Sequence, residues 1–433
     1  MSYLDTFTPR SYAQAFGDFI TESPTSYHAA ENVARRLQDA GFTRTEQTDE
    51  WPDTRRGVMV ISGAVIAWQL PETFTPQTGA RIIGSHTDSP TFKLKPEAHT
   101  ATEGYSHVNV EVYGGPLLNS WLNRDLGIAG QIVTISGERH LVKTDALMTI
   151  PQLAPHLDRS QNDDLKLSRQ KDYHPIWSCN EASVMDKICA QAGIDPATVA
   201  GTDLYAYDTA PYQIYGGKDG EDFFCAGRQD NLTSVFASLE AFVAVAGNAE
   251  VDAHGQDVLI FVAFDHEEVG SGTPTGASGP ILESTLRRIV DSSPMAGDEG
   301  YWRFIANSSC ISADAGHAVN PNQIAKHDPA HHPVLGGGPL LKLNSQQRYA
   351  TDAIGSAAWL RAAHVADVST QEFVSNNDMP CGTTIGPLTA TRFGMTTVDV
   401  GVAMLSMHSV REITNPADVL AMARILEAYW MGA

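Results

Sequence analysis

A chain of 433 residues, 42% apolar and 18% charged, exceeds one small core and lies far from disordered or fibrous compositions, so a large domain with a second, smaller one is expected. Its formal charge of −22 argues against nucleic acid or anionic membrane as partner, and no stretch approaches the ~18 uninterrupted apolar residues of a membrane span. Five scattered cysteines (179, 189, 225, 310 and 381) without C-x-x-C, and an N-terminus lacking basic and apolar leader regions, predict free thiols in a reducing, cytoplasmic setting.

In chain order, SYHAAENVARRLQDAGF places Ala29, Val33 and Leu37 four apart with Gly41 beyond them, the pattern of an amphipathic helix with a glycine stop. GVMVISGAVIAWQL reads as a hairpin around Ser62 and Gly63, and ARIIGSHTDSP as a buried strand ending in polar residues. Between Thr91 and Lys218 the texture changes to short β-type runs (VNVEVYGG, QIVTIS, RHLVKT) and polar stretches, which predicts an inserted β-rich domain at 91–218 between catalytic parts at 1–90 and 219–433. DNLTSVFASLEAFVAV then predicts a helix with Leu232, Val235, Phe236, Leu239 and Val243 on one face. VLIFVAFDHEEVGS, CISADAGH and TTVDVGVAMLSMHS each read as a strand that ends in ionisable residues, and NPADVLAMARILEAYWMG as a closing helix.

In open α/β sheets a site forms beyond the carboxyl ends of the strands, so runs ending in His86, Glu267-Glu268, Asp314 and His408 are expected to converge. These residue types are those of a two-metal hydrolase: a bridging carboxylate, His and carboxylate ligands, and a free carboxylate that activates water. Asp88, two residues beyond His86, is placed to fix the imidazole tautomer. Asp230 opens a helix, where the competing role is an N-cap; Asp314 competes as a turn residue and His408 as a core histidine. The paired glutamates after an apolar run are costly unless a cation or proton compensates them. Neighbouring side chains diverge there, so Glu268 is read as ligand and Glu267 as general base, with His266 and His317 as weaker candidates.

GSHTDSP, GRQDNLTS, FDHEEVGS, ISADAGH and SMHSVRE, in that order across nearly the whole chain, resemble the M18 metallopeptidases, the aspartyl aminopeptidases. The resemblance implies an α/β/α sandwich zinc-peptidase domain with an inserted dimerisation domain, and assembly of dimers into a homo-oligomer that reaches a dodecamer. It implies two divalent ions, Zn2+ with Co2+ or Mn2+ as substitutes, one held by His86, Asp230 and Asp314 and the other by Asp230, Glu268 and His408. His156 resembles a histidine that reaches into a neighbouring subunit's site, and Lys342 the cation that meets acidic substrate side chains. The activity so implied is removal of N-terminal Asp or Glu from peptides with a free N-terminus. The alternatives are a two-metal N-acyl amino acid deacylase and a catalytically idle oligomeric scaffold.

Overall fold

The computed structural model describes every residue except 1, 52–53, 181, 249–250 and 252–254. Helix α1 (Pro9–Glu22) begins on Thr8, whose hydroxyl accepts the Ser11 N–H at 3.1 Å, with proline in the first turn, where its missing amide costs nothing. Helix α2 (Ser26–Asp39) stops as its sequence predicts. Gly41 takes φ +89, its N–H donates to the Gln38 carbonyl at 2.9 Å, and the Phe42 N–H donates to the Leu37 carbonyl at 3.0 Å. This is the left-handed stop that glycine adopts without strain.

Strands β1 (Thr43–Arg44), β2 (Arg56–Ile61), β3 (Ala64–Gln69) and β4 (Ala80–His86) open the main sheet, β2 and β3 forming the expected hairpin. The chain then builds a separate antiparallel sheet from β5 (Thr91–Thr102), β6 (Tyr105–Tyr113), β7 (Leu126–Thr134), β8 (Arg139–Lys143), β9 (Ile176–Ser178) and β10 (Val199–Asp208), in the order β8-β7-β10-β5-β6-β9. Helix α3 (Val184–Ala192) packs on it, and Phe92, Trp121, Ile128, Tyr173 and Ile188 share its core. Strand β11 (Gln213–Tyr215) leaves this sheet and pairs with β12 (Phe223–Ala226), so the last part of 91–218 lies with the main body.

The remainder is α4 (Gln229–Ala246), β13 (Val258–Phe264), α5 (Ile281–Asp291), α6 (Asp298–Ala306), β14 (Ser309–Ala313), β15 (Gly316–His317), β16 (Leu340–Leu343), α7 (Ala353–Val365), β17 (Gln371–Val374), α8 (Gly386–Phe393), β18 (Thr396–Gly401), β19 (Ala403–Met404), β20 (Glu412–Thr414) and α9 (Pro416–Trp430), of which β13, β14, β16, β17 and β18 return to the main sheet, β15 pairs with β19, and β20 with β12. The sheet order is β1-β2-β3-β13-β4-β14-β18-β16-β17, with β13, β4, β14 and β18 parallel at its centre.

Both faces of β13 are covered, which explains its uninterrupted apolar run. Leu259, Phe261 and Ala263 face the cluster shared by α1, α2, α4, α7 and α9, while Ile260, Val262 and Phe264 face that of α5, α6 and α8. The result is an α/β/α sandwich. Helix α4 is buried on all sides, whereas its sequence predicts a single apolar face. Val243, expected inside, is the one partly exposed residue of that helix. A helix lying between a sheet and other helices has no solvent face to keep polar.

Candidate active site

Neighbouring parallel strands supply most of the site. His86 closes β4, Asp314 directly follows β14, and Glu267 and Glu268 follow β13 in a short 3-10 turn, Glu267–Val269. Since β13, β4 and β14 are adjacent, the topology brings these ends together. Asp230 comes from the first turn of α4, where its backbone is non-helical and the helix start has no side-chain cap. His408 arrives differently from the expectation. Its strand β18 stops at Gly401, β19 pairs with β15 in a separate ribbon, and His408 sits beyond both with φ +65.

Asp230 stands at the centre of the cluster. Its Oδ1 lies 3.5 Å from His86 Nε2 and its Oδ2 3.4 Å from His408 Nε2. His86 Nε2 is also 3.5 Å from Asp314 Oδ1, and His408 Nε2 is 3.5 Å from Glu268 Oε2. Three groups of side chains among the described residues could hold a metal ion, and two of them, His86–Asp230–Asp314 and Asp230–Glu268–His408, share Asp230. A third set joins Glu267 to His86 and Glu268, but its 4.0 Å contact with His86 is the longest of these.

Divalent cations fit this donor set. Separations of 3.4–3.5 Å are long for hydrogen bonds. They match the roughly 3.3–3.5 Å between neighbouring ligands of a tetrahedral zinc with bonds of about 2.0–2.1 Å. Asp230 Oδ1 and Glu268 Oε1 are buried without a hydrogen-bond partner among the described residues, a costly state for carboxylate oxygens that a cation relieves. Nitrogen and oxygen donors without thiolate accept zinc, cobalt or manganese.

The electrostatics agree. Burial pushes the Glu267 carboxyl up to about 7; His86 opposes the rise and Asp314, Asp88 and Asp230 add to it. Burial and then Asp230 raise Glu268 well above the ordinary carboxylate range. Burial favours the neutral form of His408, yet Asp230 and Glu268 hold it up at about 10. Against burial, His408 and His86 keep Asp230 below the usual carboxylate range. So many carboxylates around two imidazoles call for added positive charge.

Two acidic residues hold the frame. Asp88 Oδ1 accepts the Glu267 N–H at 3.0 Å and Oδ2 accepts the Glu268 N–H at 3.1 Å, so one carboxylate clamps the turn that carries both glutamates. His86 Nδ1 lies 3.0 Å from the Asp88 carbonyl oxygen and 3.3 Å from Asp88 Oδ1. Buried Glu412 accepts the Asp230 N–H at 3.0 Å and the His408 N–H at 2.8 Å.

The family described as Aminopeptidase I zinc metalloprotease (M18) matches residues 19–430. The chain belongs to the M18 family of zinc metalloaminopeptidases. It is 45% identical over 431 residues to a Streptomyces avermitilis protein named probable M18 family aminopeptidase 2, covering 98% of each chain. A Pseudomonas aeruginosa protein of the same name is 37% identical over 432 residues, covering 96% of this chain and 97% of its own. Among solved structures, the S. cerevisiae mApe1 dodecamer superposes with a TM-score of 0.85 at 28% identity, covering 97% of this chain and 96% of that one.

In this M18 chain Lys342 lies on β16, buried, with Nζ donating to the Ala315 carbonyl at 2.7 Å and standing 3.6 Å from Asp314 Oδ2. Its charge is already engaged at the edge of the cluster. His156 lies in an exposed turn of the insertion and joins none of the candidate metal-holding groups among the described residues of its own chain. Of the two weaker candidates, His266 turns away to Thr273 and Thr275 hydroxyls, 3.0 and 3.1 Å from Nδ1. His317 is held towards its neutral form by burial and by Lys342. Glu412 was not legible in the sequence as a site residue. The E in SMHSVRE follows no apolar run, and only the pairing of β20 with β12 turns it inward beneath Asp230.

Proposed function

We propose that the chain removes N-terminal residues, preferentially Asp or Glu, from peptides by a two-cation mechanism in which Glu267 is the general base. The observation that carries this reading is Asp230, which turns one oxygen to each histidine and belongs to both ligand sets. Divalent cations held by His86, Asp230 and Asp314 and by Asp230, Glu268 and His408 would polarise the scissile carbonyl and acidify the attacking water. Glu267 takes the water proton and delivers it to the leaving amine. Its carboxyl, standing beside both proposed ligand sets without belonging to either, is placed for both duties. Asp88, through the Glu267 and Glu268 amides, keeps the base and its neighbour pointing apart.

The other parts of the proposal concern selectivity and assembly. Lys342, beside Asp314, supplies the positive potential that favours an acidic substrate side chain. The 91–218 insertion is proposed to join chains into dimers and these into a dodecamer like that of mApe1. His156 would then enter a neighbouring subunit's site, and the exposure of Leu153 (50%) and Leu157 (76%) around it supports such a contact. Free cysteines support a cytoplasmic setting.

The test is release of anilide from aspartyl, glutamyl and leucyl substrates, with chelator and with zinc, cobalt or manganese restored. Chelator-sensitive turnover of the acidic substrates is expected. Leucyl preference would discard the role of Lys342, and turnover confined to N-acetylated substrates would replace the aminopeptidase by a deacylase.

A further inference from the structure

Strand β6 ends at Tyr113, and the segment that follows it, Tyr113 to Leu117, leaves the inserted sheet and runs along the site of the main sheet in the same chain. Three successive residues touch that site. The Tyr113 hydroxyl donates to Asp88 Oδ2 at 2.7 Å, adding a third donor to the carboxylate that clamps the Glu267 and Glu268 amides. Gly114, at φ +68, approaches so closely that an added Cβ would stand 3.1 Å from Glu268 Cβ. The Gly115 carbonyl lies 3.0 Å from His408 Nδ1, and the Leu117 N–H donates to the His408 carbonyl at 2.9 Å.

Each contact bears on orientation. With Nδ1–H donated to Gly115, His408 Nε2 is turned towards Asp230 and Glu268. The Tyr113 ring is itself fixed edge-on against Tyr205 of β10, their centroids 5.5 Å apart at 80°. A rigid sheet thus ends in a hydroxyl and a carbonyl aimed at two different parts of the site.

We propose that the Tyr113–Gly115 segment is a positioning element through which the insertion sets the geometry of the Glu267 base and of the Asp230–Glu268–His408 set in its own chain. The second sheet then has a part in catalysis distinct from joining subunits. This rests on the roles proposed above for Glu267 and for that ligand set. Tyr113 touches no reacting atom; it acts through Asp88. Without its hydroxyl the buried carboxylate is one donor short, and the turn carrying Glu267, bonded to it through the Glu267 and Glu268 amides, is held less tightly.

Tyr113→Phe and Gly114→Ala, made in the full chain beside Tyr205→Phe and Glu267→Gln, test this. Turnover is read on whichever anilide the unaltered chain cleaves fastest, and bound zinc is read after dialysis against graded chelator, together with melting and elution volume. Tyr113→Phe is expected to lose about 10-fold in kcat with KM changed less than about 2-fold, and Gly114→Ala to release zinc at roughly 10-fold lower chelator, both with unchanged elution and at a temperature where each variant, though its melting falls modestly, is still fully folded. Tyr205→Phe, which keeps the ring, is expected to retain full turnover. Unaltered kcat in Tyr113→Phe, or loss of kcat only in step with melting or assembly, overturns the proposal. If Glu267→Gln is dead while Tyr113→Phe is unaltered, only the positioning element falls. An active Glu267→Gln removes the reading on which it rests.

Discussion

The Glu412 carboxylate accepts the backbone N–H of Asp230 at 3.0 Å, joining the start of α4 to a strand near the chain's end. Its other oxygen accepts the His408 N–H at 2.8 Å. An amide at this position can accept only one of these bonds. Glu412→Gln should therefore weaken zinc about 10- to 100-fold, measured by competition with a chelating dye. Unchanged affinity would show that Glu412 does not hold the two ligands in place.

Because Asp230 belongs to both ligand sets, its loss should differ in kind from loss of a terminal ligand. Asp230→Ala is expected to abolish both ions in elemental analysis, and His408→Ala to leave the His86–Asp230–Asp314 ion in place. Equal stoichiometry in the two variants would exclude the shared-carboxylate arrangement.

Zinc uptake should release protons. Without cations, Asp230 and Glu268 hold His408 at about 10 despite burial, and burial holds Glu267 at about 7. Calorimetry at pH 6.5 in buffers of different ionisation enthalpy should show at least about one proton released per chain. None released would mean that the histidine does not lose its proton to the ion.

The same shifts give the cation-free chain a defined pH dependence. Glu267, ordinarily near 4.5 and here near 7, and Glu412, pushed by burial and then Asp230 to about 8, both bind protons more tightly folded than unfolded. Their contribution is fully present below about pH 4.5 and is lost as pH rises through 7 and 8. Chelator-treated protein should melt at falling temperature from pH 5 to 9, and added zinc should flatten that slope. A rising profile without zinc would contradict the raised carboxyls.

Gly41 offers a test of the fold without touching the site. An added Cβ there meets nothing within 4 Å, so Gly41→Ala is resisted only by the φ of +89. A loss of about 1 kcal/mol in denaturant unfolding with unchanged kcat is expected. No loss would mean that the helix stop is not strained by a side chain.

What could be read in the sequence was what local pattern encodes. The stop at Gly41, the hairpin at Ser62-Gly63 and the strand β13 that ends at the paired glutamates follow from periodicity, glycine and apolar runs. Four of the five proposed ligands, His86, Asp230, Glu268 and Asp314, stand beside such elements, which is why their motifs were visible. His408 was visible by motif but not by route, because β18 ends at Gly401 and a left-handed turn finishes the approach. Glu412 and Tyr113 were not legible as parts of the site. Each acts on a residue distant in sequence, and no spacing encodes the pairing of β20 with β12 or the turn of β6 towards Asp88. Helix α4 misled for a related reason: its polar positions, Thr233, Ser234 and Ser238, are buried by neighbours that its own periodicity does not register.

The most direct measurement is turnover and metal content of Glu267→Gln beside Glu268→Gln. With Glu267 as base and Glu268 as ligand, Glu267→Gln should retain the full complement of zinc and lose at least about 10²-fold in kcat, whereas Glu268→Gln should lose zinc from the Asp230–Glu268–His408 set. Full activity in Glu267→Gln, or zinc lost from it and kept by Glu268→Gln, would contradict the assignment.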